Sequence, residues 1–187
     1  MAVDTDYALA MSDGVCSMAP VGTPAPVGMT ALGSPWVDMG AISTDGLTES
    51  FSTDRTDFKR WGSKQKFKTV VTNVDKTFQL TFLETNPNVL GLYFGIDAPT
   101  PDPTTKIMSV IDDTSGGINI VSFVFDIVEE GTGNHARFYL PKAEVTTQAD
   151  VKYATDTLSQ YGVTITAYPD DAGVSVARQY KLDAVNG

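Results

Sequence analysis

One stretch of the chain carries a convincing helix signal, and it lies between Asn86 and Gly95. Asn86 suits the N-cap position, Pro87 suits the first helical position, and Gly95 suits the stop. The apolar face of this helix would consist of Val89, Leu90, Tyr93 and Phe94. The other patterned stretches are short runs of alternating apolar and polar residues. Because parallel strands need crossover connections, usually helical, so little helix favours antiparallel sheets.

The alternating runs predict about eight strands. The clearest is 77–84, in which Phe78, Leu80 and Phe82 fall on one face. Together with 67–75 it forms either a tight hairpin or one bent strand. Further runs lie at 36–42, 47–52, 106–112, 118–129, 135–144, 155–168 and 174–182. The sequence therefore predicts a mainly β fold, an antiparallel β-sandwich or barrel with one short flanking helix at about 86–95.

Domain organisation follows from composition. At 187 residues the chain is long enough for one domain with its own core. Residues 1–35 are rich in Pro, Gly and Ala, which favours an extended course. We predict a flexible N-terminal arm at 1–35 and a β domain at 36–187. The arm is either a free tail or a segment that orders on a neighbouring subunit, and its apolar side chains favour the second interpretation.

The turn signal Asp45–Gly46 predicts a hairpin between the runs 36–42 and 47–52. Residues 54–64, in contrast, have no clean period and predict a long exposed loop. This loop holds Phe58 and Trp61 among charged residues.

Charge is distributed unevenly along the chain, whose net charge is −10. Residues 1–54 contain seven acids and no Lys or Arg, whereas residues 55–68 contain six bases and one acid. An acidic chain repels phosphate, which disfavours sequence-specific DNA recognition. The acidity serves either solubility or a functional acidic channel, and composition leaves both open.

The basic segment has three interpretations: a nucleic-acid contact, a solvated loop, or a contact between subunits. We favour the subunit contact, because Arg and Trp are enriched at interface hot spots and the acidic region 1–54 offers a complementary partner. The predicted interface residues are Arg55, Phe58, Lys59, Arg60, Trp61 and Lys64.

Catalytic and metal-binding patterns are missing from the sequence. His135 is the only histidine and has no neighbouring Cys, so the sequence predicts no metal site. Glu129 and Glu130 are adjacent on a predicted strand and would point to opposite faces, which is unsuitable for a catalytic carboxylate pair. Cys16, the single cysteine, cannot form an intrachain disulfide. We predict no enzyme activity, no cofactor, no signal peptide and no membrane anchor.

The order of features from Trp36 to Gly95 resembles one known family. In sequence order it reads WVDMG (36–40), GLTES (46–50), KRWG (59–62) and NPNVLGLYFG (86–95). This order resembles the major tail proteins of long-tailed, non-contractile bacteriophages, most closely those of actinobacterial hosts, and the resemblance covers most of 36–168. It implies hexameric rings that stack into the tail tube, the conduit for DNA ejection, with 54–64 at the stacking loop.

The resemblance also implies partners and location. Tape-measure, tail-terminator and distal tail proteins would contact the tube, genomic DNA would pass through it without specific binding, and the virion would be assembled in the host cytoplasm. Two alternatives remain open. One is a virion decoration or adhesin-like β domain. The other is a tube protein of a contractile or secretion-type system, because such tubes share the fold.

Overall fold

The computed structural model describes residues 9–111 and 119–182, and within them the chain forms eight strands and one helix. All strand pairs are antiparallel, which confirms the predicted mainly β fold with one short helix. The elements are β1 (Asp13–Pro20), β2 (Val37–Asp38), β3 (Thr48–Lys59), β4 (Lys66–Phe82), α1 (Pro87–Phe94), β5 (Val121–Val128), β6 (His135–Gln148), β7 (Tyr161–Tyr168) and β8 (Ala177–Lys181).

The sheet closes on itself. Its strand order is β2-β1-β5-β6-β7-β4-β3, with β8 paired to β6. The segment 37–43 forms backbone hydrogen bonds both with β1, near one end of this order, and with the end of β4, near the other. Near its start, the Met39 amide donates to the Cys16 carbonyl of β1 at 2.9 Å. Near its end, the Ala41 carbonyl accepts from the Leu83 amide, just after β4, also at 2.9 Å. The architecture is therefore a barrel, one of the two predicted forms.

Aromatic side chains fill the barrel interior. Phe78 of β4 stacks on Phe125 of β5 with ring centroids 5.4 Å apart, although β6 and β7 separate these strands in the sheet. Phe123 continues the stack at 6.1 Å from Phe125. The contact between non-adjacent strands shows that the sheet curls around one core. Other large side chains buried there are Met39, Phe82, Leu140, Tyr161 and Ile165.

The helix begins and ends where the sequence predicts. The Asn86 side chain accepts from the Val89 amide at 2.9 Å, and Gly95 ends the helix with φ +68°. Its buried face differs in part from the predicted one. Val89, Leu90 and Leu92 are buried, whereas Tyr93 and Phe94 are only partly buried.

The predicted flexible arm needs correction, because residues 13–20 form β1, one of the strands of the barrel sheet, and Cys16 is fully buried. The following Pro/Gly-rich segment packs on the outside of β6. The Arg137 guanidinium donates to the carbonyls of Gly28 and Thr30 at 2.8 and 2.9 Å, and the Tyr139 hydroxyl donates to the Thr23 carbonyl at 2.7 Å. Residues 1–8 of the predicted arm lie outside the described part of the chain.

Two further predictions are corrected, and one open alternative is resolved. The runs 36–42 and 47–52 flank a turn at Ser43–Gly46, but they do not pair with each other: β2 pairs with β1, and β3 pairs with β4. The alternatives for 67–84 resolve into one strand, β4. Residues 106–111 form no strand, and residues 112 and 118 lie outside the described residues.

Candidate subunit interface

The segment predicted as a long loop is part of a two-stranded hairpin. β3 and β4 pair from Thr48 to Lys59, but β4 pairs with β7 only over 77–82. We call residues 50–76, which lack any further strand neighbour, the hairpin arm. From Ser50 to Lys59 it spans about 30 Å at 3.3 Å per residue. The prediction of a loop at 54–64 was wrong, because only residues 60–65 separate the two strands.

The base of the arm is braced by the segment that leads into β8. Lys76 Nζ donates to Ser175 Oγ at 2.8 Å, and Arg178 of β8 forms an ion pair with Glu49. These contacts join the arm to the barrel at one end and leave its remaining length unsupported. A two-stranded hairpin alone is marginally stable in water, so an arm of this length gains stability from any surface that covers it.

The two faces of the arm follow from its register, because cross-strand partners point to the same side. On one face the pairs are Phe51–Lys76, Thr53–Val74, Arg55–Val71, Asp57–Thr69 and Lys59–Lys66. On the other they are Ser52–Asp75, Asp54–Asn73, Thr56–Val70 and Phe58–Lys68. Register shifts after Asp54 and after Phe58 add irregularity to the ladder. Both faces therefore combine apolar and charged side chains.

This geometry separates the predicted interface residues. Arg55 and Lys59 share one face, and Phe58 lies on the opposite face. Trp61 lies in the turn at the tip together with Gly62, Arg60 precedes this turn, and Lys64 follows it. The structure thus brings the six residues to one end of one arm without making them a single continuous surface.

The tip presents Trp61 to solvent with a relative exposure of 101%. The turn behind it is closed by the Ser63 amide, which donates to the Arg60 carbonyl at 3.0 Å. Gly62 has φ +77°, a conformation that favours glycine. A fully exposed indole on a tight turn is a large apolar group with no cover on its own subunit.

The sequence prediction missed a second set of candidate contact residues. The arm also exposes Phe51, Phe67, Val70, Val71 and Val74. The sequence did carry a signal for a strand here, because five of the six residues in 69–74 are β-branched. Its apolar residues occupy both faces, however, so no clean alternation marks them as a surface.

Charge is concentrated at the same end of the molecule. Residues 55–68 carry six bases and one acid, a net charge of +5. Since the whole chain has a net charge of −10, the residues outside this segment sum to −15. Lys66 pairs with Asp57 at 2.5 Å, and this contact is the main reason that the pKa of Asp57 lies below its usual value. Among the described residues, the other five bases of this segment form no ion pair.

Features that would indicate other chemistry are weak in the described ranges 9–111 and 119–182. No group of three or more His, Cys, Asp or Glu there could hold a metal ion. Nor does any helix of that part of the chain have the length and apolar character to cross a membrane. His135 Nε2 lies 3.1 Å from Asp126 Oδ1, and the same carboxylate oxygen is paired with Arg137 Nε at 2.5 Å. The arm is therefore the leading candidate for a functional surface.

A family model described as phage tail tube protein matches residues 1–186. The chain belongs to this family. Its role is accordingly structural, as a component of a phage tail tube. Among proteins with curated functions, none matches the chain.

Several solved structures resemble this tail tube family member at low identity. The anti-feeding prophage baseplate structure contains a chain with TM-score 0.48 and 11% identity, covering 96% of this chain and 97% of that one. The anti-feeding prophage cap gives TM-score 0.47 at 11% identity over 97% and 95%. The virion of a native gene transfer agent particle gives TM-score 0.41 at 8% identity over 80% and 92%. The family assignment rests on the family model that matches residues 1–186, and not on these structures.

Proposed function

We propose that this chain forms hexameric rings that stack into the tail tube of a non-contractile, long-tailed phage, the conduit for DNA ejection. The observation that carries the proposal is the hairpin arm. It extends about 30 Å from the barrel, ends in a fully exposed Trp61, and exposes further apolar residues on both faces. Such an arm suits a subunit whose neighbours cover it.

Open strand edges support the same assembly. The outer edge of β3 and that of β8 lack a strand partner in the described part of the chain. An unpaired edge is a liability on a free subunit and a ready contact in an assembly. A head-to-tail contact closes into a ring or continues as an open stack, depending on its rotation. Ring closure and axial stacking can thus use different surfaces of one subunit.

Apolar anchors rather than charges would provide most of the binding free energy. Exposed ion pairs contribute about 0–1 kcal/mol each. A buried aromatic hot spot contributes about 2 kcal/mol or more. Trp61 and Phe58 are the anchors of the proposed interface, and Arg55, Lys59, Arg60 and Lys64 orient the arm toward an acidic neighbour.

Passage of DNA is consistent with the charge of the subunit body. Outside residues 55–68 the chain carries −15, and we propose that several of these acids line the bore. Phosphates would be repelled from such a wall, so the genome would move without sticking. Electron microscopy of an assembled tube would test this, and a net positive bore would contradict it. Tape-measure, tail-terminator and distal tail proteins are the proposed partners.

The arm proposal is tested with Trp61→Ala and with the double variant Lys59→Glu/Arg60→Glu. Both should keep the circular dichroism spectrum of the wild type, because these residues are exposed. Both should abolish tubes and rings in negative-stain electron microscopy. Tyr153→Ala, which removes another exposed aromatic away from the arm, is the matched control and should assemble normally. Wild-type assembly by the arm variants would show that the tip is a solvated surface.

The same images separate the alternatives. A virion decoration or adhesin-like domain would remain monomeric or trimeric under conditions in which a tube protein polymerises. The non-contractile tail and the actinobacterial host rest on the sequence resemblance alone. Images of virions that contain the protein would decide the first point, because a contractile tail shows a sheath around its tube.

A further inference from the structure

A cavity of about 730 Å³ opens at the other end of the β3–β4 hairpin from the tip. Five short segments form its wall: 11–15 at the start of β1, Asp38, the turn 40–47, Glu84, and 125–127 of β5. We call the apolar part of this lining, which includes Phe125, Ile127 and Met11, the floor. A cavity of this size holds a drug-sized molecule, which is the scale of one Trp side chain with parts of its neighbours.

The lining also contains acidic residues and no Lys or Arg. We call Asp13, Asp38, Asp45 and Glu84 the rim; the carboxylate of Asp126, another lining residue, is bound to Arg137. None of the four rim residues forms an ion pair within the described part of the chain. Glu84 stays ionised more readily than usual, because the Ala41 amide and Asn86 donate to its carboxylate and hold its pKa below the ordinary value. The cavity thus combines an apolar floor with uncompensated negative charge.

The arm tip has the complementary chemistry. It carries one uncovered indole, Trp61, flanked by Arg60 and Lys64, and neither base has an ion-pair partner among the described residues. Trp and Arg are the residue types that most often anchor an interface in a fitted pocket. Opposite charges on two surfaces also select the pairing and guide its orientation. Tip and cavity therefore match in size, polarity and charge.

The tip cannot reach the cavity of its own chain. Gly46 and Leu47 belong to the cavity wall, and β3 starts at the next residue, Thr48. From Leu47 to Lys59 an extended strand covers about 40 Å. Folding the tip back over this distance would break the β3–β4 pairing. A match between the two surfaces therefore requires two copies of the chain.

We propose that this cavity is the receptor for the arm tip of a second copy, with Trp61 on the apolar floor and Arg60 and Lys64 against the rim carboxylates. The inference rests on the proposed tube function and adds the surface to which the arm binds. Because the two halves of the contact lie at opposite ends of the β3–β4 hairpin, one copy can bind one neighbour with its tip and a second neighbour with its cavity, which is a head-to-tail contact. Repeated from copy to copy, it produces a ring or an open stack without any new element.

Charge exchange in the full-length protein tests the pairing. Asp45 is exposed and its carboxylate accepts no hydrogen bond within the described residues, so Asp45→Arg should fold. We expect it to raise the protein concentration needed for tube formation about tenfold or more, since like charges then meet. Adding Arg60→Asp to the same chain should restore assembly. Asp156→Arg makes the same charge change outside the cavity and should have no effect. Unchanged assembly of Asp45→Arg would contradict the pairing.

Crosslinking locates the contact directly. Ser63→Cys places a thiol behind Trp61, and Thr44→Cys places one on the cavity wall, while the native Cys16 is fully buried. The double variant, treated with a short bis-maleimide during assembly, should give a ladder of covalent oligomers. A mixture of the two single variants should give a dimer that contains one of each and nothing larger. Ser63→Cys paired with Asp156→Cys is the control and should give no ladder.

The outcomes distinguish the two proposals. Tubes that form without the Ser63–Thr44 product would refute the cavity as receptor and leave the tube function standing. Absence of any ring or tube from the wild-type protein would refute the tube function itself.

Discussion

Arg137 holds the carboxylate of Asp126 through two hydrogen bonds, from Nε at 2.5 Å and from Nη2 at 2.9 Å. The remaining donors of the guanidinium reach the Gly28 and Thr30 carbonyls, so one side chain fastens the Pro/Gly-rich segment to the barrel. Arg137 is buried, with 3% of its side chain exposed, and Asp126 is 18% exposed. This pair explains how a segment without regular structure keeps a fixed course.

Arg137→Met should therefore be strongly destabilising. Removing one member of a buried pair leaves the other charge unpaired, which costs about 3–5 kcal/mol. Urea denaturation followed by intrinsic fluorescence measures this loss. We also expect faster proteolysis within 20–36, because Arg137 no longer binds that segment. Arg178→Met is the control, since the Arg178–Glu49 pair is more exposed and should contribute about 0–1 kcal/mol.

Gly40 is required by its backbone and by its surroundings. It has φ +89°, and a Cβ placed there would lie 2.5 Å from Glu84 Oε2 and 2.9 Å from Asn86 Nδ2. Gly40→Ala should cost more stability than Gly22→Ala. Gly22 has a similar φ of +85° but open space around it, so its replacement should cost about 1–2 kcal/mol for backbone strain alone.

Melting curves of the two variants give the comparison for Gly40. Combining Gly40→Ala with Glu84→Ala removes the shorter of the two contacts, leaves the one with Asn86 Nδ2 at 2.9 Å, and should recover part of the difference. Equal losses of stability for the two variants would mean that the Glu84 side chain moves away from the new Cβ at little cost.

Glu129 links the start of β1 to the β5–β6 hairpin, and its contribution depends on pH. Asn134, the Ala10 amide and Thr132 donate to its carboxylate and hold its pKa below the usual 4.5. A lowered folded-state pKa means that the stabilisation is present above the unfolded value and is lost as pH falls through the folded value. Glu129→Gln should lower the urea midpoint at about pH 7, and by less at an acidic pH below 4.5.

Glu130→Gln is the matched control for Glu129. It removes the same charge from the next residue, whose carboxylate accepts no hydrogen bond within the described part of the chain, and should shift the urea midpoint far less at either pH. A pH-independent difference between Glu129→Gln and the wild type would contradict the proposed linkage.

The barrel should fold without the hairpin arm. Phe51 and Lys76 are cross-strand partners, so residues 52–75 can be replaced by Asn-Gly, a favoured two-residue hairpin turn. The shortened protein should melt within about 5 °C of the wild type, because the deleted residues are mostly exposed and contribute little to the core. Size-exclusion chromatography should show a monomer and microscopy no tubes. Loss of the near-UV circular dichroism signal would show that the arm helps to hold the core together.

Much of the fold follows from local sequence. Helix α1 is predicted because its capping residues and apolar face lie within ten residues of one another. β5, β6 and β7 bury at least one face, so their alternation is visible without neighbours. The chemistry of the arm tip is equally local, since Arg60, Trp61 and Lys64 lie within five consecutive residues. These features depend on interactions between residues close in the chain.

Other features depend on contacts between distant segments, and only the tertiary structure decides them. β1 buries the small residues Cys16, Ser17 and Ala19, whose hydropathy contrasts little with that of their neighbours, so its strand signal is faint. The arm strands are solvated on both faces, so burial imposes no period on them, and residues 54–64 resemble a loop in sequence.

The cavity is formed only when five segments separated by up to 116 positions come together around the closed barrel. Sequence determines which side chains are available, because residue identity fixes their charge and polarity. Barrel closure determines which of them meet, because the hydrogen bonds that join 37–43 to both β1 and the end of β4 bring the two ends of the sheet into contact.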